Sequence, residues 1–168
     1  MKDLLVVVDM QEGFRSQALI SITSNIKKLL VNFKGEIIFL CFKNKRGSMF
    51  ENSLKWKKFH DRKDQAIVKE LGNVKYKKIF HTGYTVFDKA LMGFVKKNEF
   101  KKVYLCGVYT DVCIIKAAMD AFDNGIKCRV IHDASNSPHG KNNHRFAVES
   151  LGHIIGKGNV VSVKDVIR

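Results

Sequence analysis

The sequence predicts an α/β fold in which helices cover both faces of a parallel sheet. Six short and almost unbroken apolar runs, rich in β-branched and aromatic residues, are typical of strands buried on both faces. These runs are residues 4–10, 36–42, 78–83, 102–108, 127–134 and 159–163. Apolar residues spaced by three and four indicate amphipathic helices between most of the runs. These helical segments are residues 16–33, 88–100, 111–125 and 142–155. Alternating strands and helices predict a doubly wound, three-layer α/β/α sandwich.

The length and the lack of linkers favour one domain spanning residues 1–168. A chain of 168 residues can bury a substantial core, and it contains a single proline, Pro138, with no Pro/Gly/Ser-rich stretch and no internal repeat. No run reaches the roughly 18 apolar residues of a membrane span. The amino-terminal segment "MKDLLVVVDMQEG" lacks the features of a signal peptide. We therefore expect a cytoplasmic protein with no membrane partner.

The formal net charge of +14 raises the possibility of a nucleic-acid or polyanion partner. The excess consists mostly of lysine, and it is spread along the chain in segments such as "LKWKKFHDRKD" and "FVKKNEFKK". No zinc-finger, RNP-like or helix-turn-helix signature accompanies it. Solvated lysine faces explain this pattern better, so we expect no nucleic-acid partner, while a preference for an anionic substrate stays open.

The four cysteines form no CxxC pair and no zinc-type spacing with histidine. Cys41, Cys106 and Cys128 fall within predicted strands and are best interpreted as small core residues. Cys113 differs, because it follows a strand at the start of a predicted helix. Thr110 there is a good N-cap, and the unpaired amides of a first helical turn favour a thiolate. A buried structural cysteine is the alternative at this position.

Polar residues at the ends of three strands are candidates for a common site. In open α/β sheets, functional side chains gather at the carboxyl ends of the strands, near the point where the strand order reverses. Asp9 lies near the end of the first run, His81 lies near the end of the third, and Cys113 follows the fourth. We therefore predict that these three side chains share one pocket.

Four motifs in order resemble the isochorismatase-like family of cysteine hydrolases, a superfamily that includes nicotinamidases. They are "LLVVVDMQEGF", "HTGYTVF", "VYLCGVYTDVCI" and "VIHDASNS", which together span nearly the whole chain. The third resembles the most specific motif of the family. The resemblance implies a six-stranded parallel sheet in the order 3-2-1-4-5-6, which agrees with the fold class predicted above.

The resemblance also implies roles for individual residues. Cys113 takes the position of the nucleophile, and Asp9 takes that of the base that accepts the thiol proton. Val108–Tyr109 takes the position of a cis peptide bond, so that the N–H groups of Tyr109 and Cys113 would form an oxyanion hole. Phe14, Tyr84 and Phe87 would line the substrate pocket. The implied reaction is thiolate attack on an amide-like carbonyl, loss of an amine and hydrolysis of the thioester.

Two departures from the family pattern modify this interpretation. Metal-binding members carry Asp-x-His after the second strand, whereas this chain reads "FLCFKNKRGSMF", so we expect no metal and no other cofactor. The family lysine is replaced by His81. Lys78 faces the opposite side of the strand, and Lys77 would lie about 13 Å away along it.

Three classes of function follow from these observations. The first is a metal-independent cysteine hydrolase that cleaves a small amide or related C–N bond. The second is a catalytically impaired family member, a pseudoenzyme or small-ligand binder, because His81 replaces lysine. The third is a polyanion binder. We expect a small-molecule substrate and a homo-dimer or homo-tetramer. Trp56 either covers the pocket or packs at a subunit contact, and His132, His139 and His144 have no assigned role.

Overall fold

A computed structural model describes residues 2–167, and its centre is a six-stranded parallel sheet. The strands are β1 (Asp3–Val8), β2 (Gly35–Phe42), β3 (Lys77–His81), β4 (Val103–Val108), β5 (Cys128–Asn136) and β6 (Val160–Val161). Their order across the sheet is β3-β2-β1-β4-β5-β6, and all five pairings are parallel. The predicted fold class and strand order are confirmed.

Eight α-helices and several short helical turns surround the sheet in the described part of the chain. The α-helices are α1 (Gln17–Ser21), α2 (Thr23–Asn32), α3 (Met49–Asn52), α4 (Arg62–Gln65), α5 (Lys89–Asn98), α6 (Ile115–Asp123), α7 (Lys141–Ile154) and α8 (Val163–Val166). Short 3₁₀ helices cover Glu12–Phe14, Lys69–Leu71 and Lys157–Asn159, and a π-helical turn covers Thr110–Ile114. None of the helices within residues 2–167 combines the length and the apolar character that crossing a membrane would require.

Two apolar layers hold the helices against the sheet. Successive side chains of a strand point to opposite faces, and residues 4–8 of β1 are fully buried, as expected of a central parallel strand. Leu4, Val6 and Val8 join a core cluster with residues of α5, α6 and α7. Leu5 and Val7 join a second cluster with residues of α1, α2 and α8. Helices therefore cover both faces, as the sequence predicts.

The predicted helix over residues 16–33 is divided into α1 and α2 at Ile22. The Ile22 amide donates to the carbonyl of Leu19, three residues earlier, at 3.4 Å. The Thr23 hydroxyl donates to the carbonyl of Ile20 at 2.8 Å. Such local bonds compete with the regular helical ladder. The spacing of apolar residues indicates which face of a helix is buried, but it does not reveal a break in the hydrogen bonds at a single residue such as Ile22.

Gly107 allows β1 and β4 to approach closely at the edge of the sheet where the site lies. Its φ is +119°, and a Cβ atom at this position would lie 2.1 Å from the carbonyl oxygen of Val8. Only glycine fits both constraints. Because the strand order reverses between β1 and β4, the residues that follow them, Asp9 and Tyr109, emerge next to each other at the carboxyl edge.

Candidate active site

A cavity of about 310 Å³ opens at the carboxyl edge of the sheet. Asp9, His81 and Cys113 all lie on its wall, so the three strand-end residues identified in the sequence are brought together. They arrive from β1, β3 and the turn after β4. The site therefore lies at the point of strand reversal, where open α/β sheets place their functional residues.

Asp9 and His81 form a buried pair. Asp9 Oδ1 lies 2.8 Å from His81 Nε2, and each side chain is only 1% exposed. Asp9 has a left-handed backbone with φ of 54°, and its amide donates to the carbonyl of Leu40 at 2.9 Å. Aspartate tolerates this conformation better than most residues. The turn ends β1 and directs the carboxylate into the cavity rather than along the strand.

The contacts of His81 hold its ring in the charged form. Its Nδ1 lies 2.8 Å from the carbonyl oxygen of Gly83, while Nε2 faces Asp9. A carbonyl and an ionised carboxylate only accept hydrogen bonds, so both ring nitrogens carry a proton. Burial lowers the pKa of His81, but the charge and hydrogen bond of Asp9 together with the Gly83 carbonyl outweigh it. The pKa of His81 therefore lies above its ordinary value of 6.5.

Neither nearby lysine occupies the position of His81. Lys77 shares its strand face, as the sequence predicts, but its ammonium group lies 4.3 Å from the centre of the Phe94 ring. Lys77 and Lys78 are both exposed, and neither lines the cavity. The positive group beside Asp9 in the cavity wall is therefore the imidazolium of His81.

Cys113 lies in the π-helical turn and is partly exposed to the cavity. The amides of Val112 and Ile114 both donate to the carbonyl of Tyr109, at 3.2 and 3.0 Å, and so fix the turn. Burial, followed by the Asp9 carboxylate, raises the pKa of Cys113 well above its ordinary value. A hydrogen bond from the Tyr109 amide to the sulfur acts in the opposite direction. The expectation that a helix start would favour a resting thiolate is therefore wrong.

Thr110 does not cap this helix. Tyr109 stands at the N-cap position without a side-chain bond, and Thr110 is the first residue of the turn. The Thr110 hydroxyl is instead hydrogen-bonded to His144 Nδ1 at 2.9 Å. His144, which had no role from the sequence, thus ties the turn to α7. Burial and the neighbouring His132 lower the pKa of His144 below its ordinary value.

The peptide bond between Val108 and Tyr109 is cis in the structure. Both residues line the cavity. The Tyr109 amide lies beside the Cys113 sulfur, where it lowers the pKa of the thiol. An amide in this position is a candidate donor to an oxyanion that forms on a carbonyl attacked by the sulfur.

Six aromatic side chains, which we call the aromatic wall, form much of the remaining lining. They are Phe14, Phe42, Phe50, Trp56, Tyr84 and Tyr109. Phe14 connects several of them: its ring centre lies 6.0 Å from that of Trp56 and 5.5 Å from that of Tyr109. Phe59 supports Phe14 from behind at 4.2 Å. Gly13 makes room for Phe59, because a Cβ at Gly13 would lie 2.5 Å from its ring.

Phe14 and Tyr84 line the cavity as the sequence predicts, whereas the prediction for Phe87 is wrong. Phe87 is 5% exposed and belongs to the core cluster between the sheet and α5. Asp88 caps α5 through bonds from the amides of Ala90 and Leu91. The chain therefore turns into a helix at this point, and an apolar residue just before an N-cap packs inward.

Seven lining residues were not predicted to belong to the site: Phe42, Phe50, Leu54, Trp56, Gly83, Val112 and His139. Phe42 ends β2, so the same strand-end rule could have identified it. Phe50 lies in the four-residue helix α3 and Trp56 in the loop after it, within a segment whose sequence has no periodicity to indicate orientation. Trp56 lies on the cavity wall, in agreement with the first of its two alternatives, while a role at a subunit contact stays a prediction.

The residues after β2 do not fit a metal site of the Asp-x-His type. Asn44 is buried there, and its side chain is fully used. Its Oδ1 accepts from the Lys45 amide and the Ser48 hydroxyl, and its Nδ2 donates to the carbonyls of Trp56 and Lys58. Within residues 2–167, no group of three or more His, Cys, Asp or Glu side chains is arranged to hold a metal ion. Asn44 instead anchors the segment that carries Trp56.

Cys41, Cys106 and Cys128 are buried free thiols, in agreement with the sequence interpretation. Burial raises the pKa of Cys41 and of Cys128 to about 12 and raises that of Cys106 as well. Gln11 is likewise structural, because its side chain bonds to the backbone of Phe42 through both of its polar atoms. Cys113 therefore differs from the other cysteines in its access to the cavity, not in a low pKa.

Comparison with known families matches residues 3–163 to the isochorismatase domain. The chain belongs to the isochorismatase family. The "Isochorismatase family protein 2A" of Dictyostelium discoideum is 38% identical over 56 residues, which is 32% of this chain and 28% of that protein. The match thus covers less than a third of that curated relative.

Solved structures show the same fold over almost the whole chain. An isochorismatase-like hydrolase from Alkaliphilus metalliredigens superposes with a TM-score of 0.86 at 17% identity, covering 98% of this chain and 97% of that one. N-carbamoylsarcosine amidase from Thermoplasma acidophilum superposes with a TM-score of 0.80 at 17% identity, covering 96% of both chains. The isochorismatase-family chain described here thus has the isochorismatase-like hydrolase fold.

Proposed function

We propose that this isochorismatase-family chain is a metal-independent cysteine hydrolase that cleaves a small amide or related C–N bond through a thioester. One observation carries the proposal: a cysteine that faces a cavity lies beside a buried carboxylate–imidazolium pair. A thiol needs a base at the moment of attack, and the base needs a fixed positive partner to stay ionised while buried.

The two oxygens of Asp9 suit two different tasks. Oδ1 is bound to His81, whereas Oδ2 is buried and has no hydrogen-bond partner among the described residues. In the proposed acylation step, the Cys113 sulfur bonds to the substrate carbonyl carbon as its proton passes to Oδ2. The C–N bond then breaks, and the amine leaves with that proton. Because the pKa of Cys113 is raised, the thiol loses its proton during attack rather than before it.

His81 supplies the positive charge that the family lysine would supply. Its imidazolium places a positive charge 2.8 Å from Asp9 Oδ1, and both side chains are only 1% exposed. The amides of Tyr109 and Cys113 would stabilise the oxyanion on the attacked carbonyl. These contacts support an active enzyme over the impaired alternative, since the charge lost with lysine is restored by histidine.

The aromatic wall supports an uncharged substrate with an apolar acyl group. No lysine or arginine among the described residues lines the cavity, although the chain carries a net charge of +14. The lysine excess therefore gives no support to an anionic substrate at this site. N-carbamoylsarcosine amidase, one of the similar structures, is named for cleavage of a C–N bond, which agrees with the reaction proposed here.

The test is a screen of small amides, ureides and carbamoyl compounds by ammonia release, with Cys113→Ala as the negative control. We expect turnover by the parent and a substrate-dependent mass increase on Cys113 in rapidly quenched samples. Turnover that persists in Cys113→Ala would refute the cysteine mechanism. A parent that binds ligands without turnover, and that His81→Lys activates, would favour the impaired alternative.

A further inference from the structure

A second carboxylate–imidazole pair lies at the outer side of the cavity. His139 is on the cavity wall, and its Nδ1 lies 2.7 Å from Asp111 Oδ2. Asp111 belongs to the π-helical turn that also carries Cys113, two residues further on. The proposed function above gives this pair no task.

The partner of His139 determines where its proton lies. Burial raises the pKa of Asp111, but hydrogen bonds from Ser137 and His139 lower it more, so the net pKa lies below its ordinary value. The ionised carboxylate accepts, and His139 Nδ1 therefore carries a proton. In the neutral ring, Nε2 then has a free lone pair. No described residue forms a hydrogen bond with Nε2.

The ring is held in place but open to water. The His139 amide donates to the Ser137 hydroxyl at 3.1 Å, and the ring meets Tyr109 edge-on with centres 5.3 Å apart. The His139 side chain is 48% exposed, whereas those of His81 and Asp9 are 1% exposed. A water molecule from solvent can therefore reach Nε2 while the inner pair stays dry.

We propose that His139 is the general base that activates water to hydrolyse the Cys113 thioester, with Asp111 positioning its ring. This inference rests on the proposed function. The water oxygen bonds to the thioester carbonyl carbon, and its proton passes to Nε2. The C–S bond then breaks, and its electron pair stays on sulfur. The proton on the ring returns to the sulfur, so the thiol and the neutral imidazole are regenerated.

We assign His139 to thioester hydrolysis, and not to the attack by the thiol, because Asp9 and His139 differ in burial and in which atoms can accept a proton. Asp9 Oδ2 is buried next to Cys113 and can take the thiol proton without solvent. The hydrolytic water, in contrast, enters only after the amine has left, from the exposed side of the cavity. An imidazole with one nitrogen held by a carboxylate and the other open to solvent suits this second step, because the open nitrogen can accept the proton of the attacking water.

The experiment uses p-nitrophenyl acetate, which acylates a reactive cysteine and releases p-nitrophenolate as a visible burst. Intact mass then follows the loss of the acetyl group from Cys113. We expect His139→Ala and His139→Asn to keep the burst and to slow deacetylation by about 10²-fold, at the low end of general-base effects. Asparagine still donates to Asp111, as Nδ1 does, but offers no base. Exogenous imidazole should accelerate deacetylation of His139→Ala.

His60 provides a matched control, because its ring is also 2.7 Å from a carboxylate, that of Glu51, yet it does not line the cavity. His60→Ala should deacetylate like the parent. A parent-like rate in His139→Asn, whether or not His139→Ala is slow, would overturn the inference while leaving the cysteine mechanism intact. An enzyme whose Cys113 is not acetylated at all would overturn both.

Discussion

Two carboxylate–imidazole pairs face one cavity. The distance between carboxylate and ring is similar in both, but the pairs differ in burial and in the partners of the ring nitrogens. The distance from the carboxylate oxygen to the ring nitrogen is 2.8 Å in the Asp9–His81 pair and 2.7 Å in the Asp111–His139 pair. The inner ring has acceptors at both nitrogens and is buried. The outer ring has an acceptor at one nitrogen and is half exposed. The same two residue types thus form a fully paired, buried ring in one place and a half-paired, exposed ring in the other.

The difference shows that the partner at the second nitrogen decides the chemistry of a histidine. The Gly83 carbonyl commits His81 to the doubly protonated form, so the ring serves as an electrostatic replacement for an ammonium group. His139 has no such second partner among the described residues, so its Nε2 is open to water.

The largest effect is expected from Cys113→Ala, which removes the group that both pairs serve. Hydrolysis should fall to the uncatalysed rate while the fold survives, because the side chain is small and partly exposed. Ammonia release measures activity, and circular dichroism measures folding. Cys106→Ala is the control: it removes a buried sulfur from β4 and should cost stability but not the reaction.

Asp9→Asn is expected to lower the rate by about 10²–10⁴-fold, the range for loss of a general base. The amide keeps the shape of the carboxylate but cannot accept the thiol proton. It also deprives His81 of its counter-ion, so the pKa of His81 should fall, which NMR titration of the ring measures. Asp111→Asn should leave acylation by p-nitrophenyl acetate unchanged. Equal acylation rates in the parent and Asp9→Asn would place the proton acceptor elsewhere.

The fold could be predicted because burial on both faces of a parallel sheet leaves a clear pattern of apolar runs. The ends of the elements were less predictable, because they depend on single residues. The first run continues to residue 10, but β1 ends at Val8, where Asp9 turns into a left-handed conformation. The π-helical turn after β4 was not predicted, since its hydrogen bonds leave no distinct spacing of apolar residues.

The shared position of Asp9, His81 and Cys113 at one cavity could be predicted from strand ends and motifs, whereas their electrostatics could not. The raised pKa of Cys113 results from burial and from Asp9, which is remote in sequence. The position of His139 depends on a loop without periodicity. The wrong prediction for Phe87 has another origin: it is close to Tyr84 in sequence, but it directly precedes Asp88, the N-cap of α5, and packs into the core.

The next effect concerns the alkaline side of the pH–rate profile. Since the pKa of His81 is raised in the folded protein, the Asp9–His81 ion pair is complete at pH values below the ordinary pKa. It is lost as the pH rises through the raised value. The rate and the melting temperature of the parent should both decline there. His81→Lys should extend the active plateau to higher pH, and His81→Gln should be slow at every pH. Identical profiles for the parent and the lysine variant would contradict the imidazolium role.

Trp56→Ala should have a smaller effect, because it alters the aromatic wall and neither charged pair. We expect KM for a substrate found in the screen to rise about tenfold, equivalent to ~1.4 kcal/mol, with kcat nearly unchanged. Phe122→Ala on α6 is a control, since Phe122 is a large exposed side chain outside the cavity lining. A fall in kcat without a change in KM would mean that Trp56 positions the reacting groups rather than the acyl portion of the substrate.

The smallest effect, no change at all, is expected from added zinc and from strong chelators. After β2, the polar atoms of Asn44 are already bound to Lys45, Ser48 and two backbone carbonyls, so they are not available to a metal. In the cavity, Asp9 Oδ1 is committed to His81, whose protonated nitrogens have no lone pair for a metal. Activity should therefore be equal after dialysis against a chelator and after zinc addition, with elemental analysis to verify the metal content. Activity that disappears with the chelator and returns with stoichiometric zinc would mean that a metal replaces a proton on a ring nitrogen of His81. The imidazolium would then not be the fixed positive charge beside Asp9.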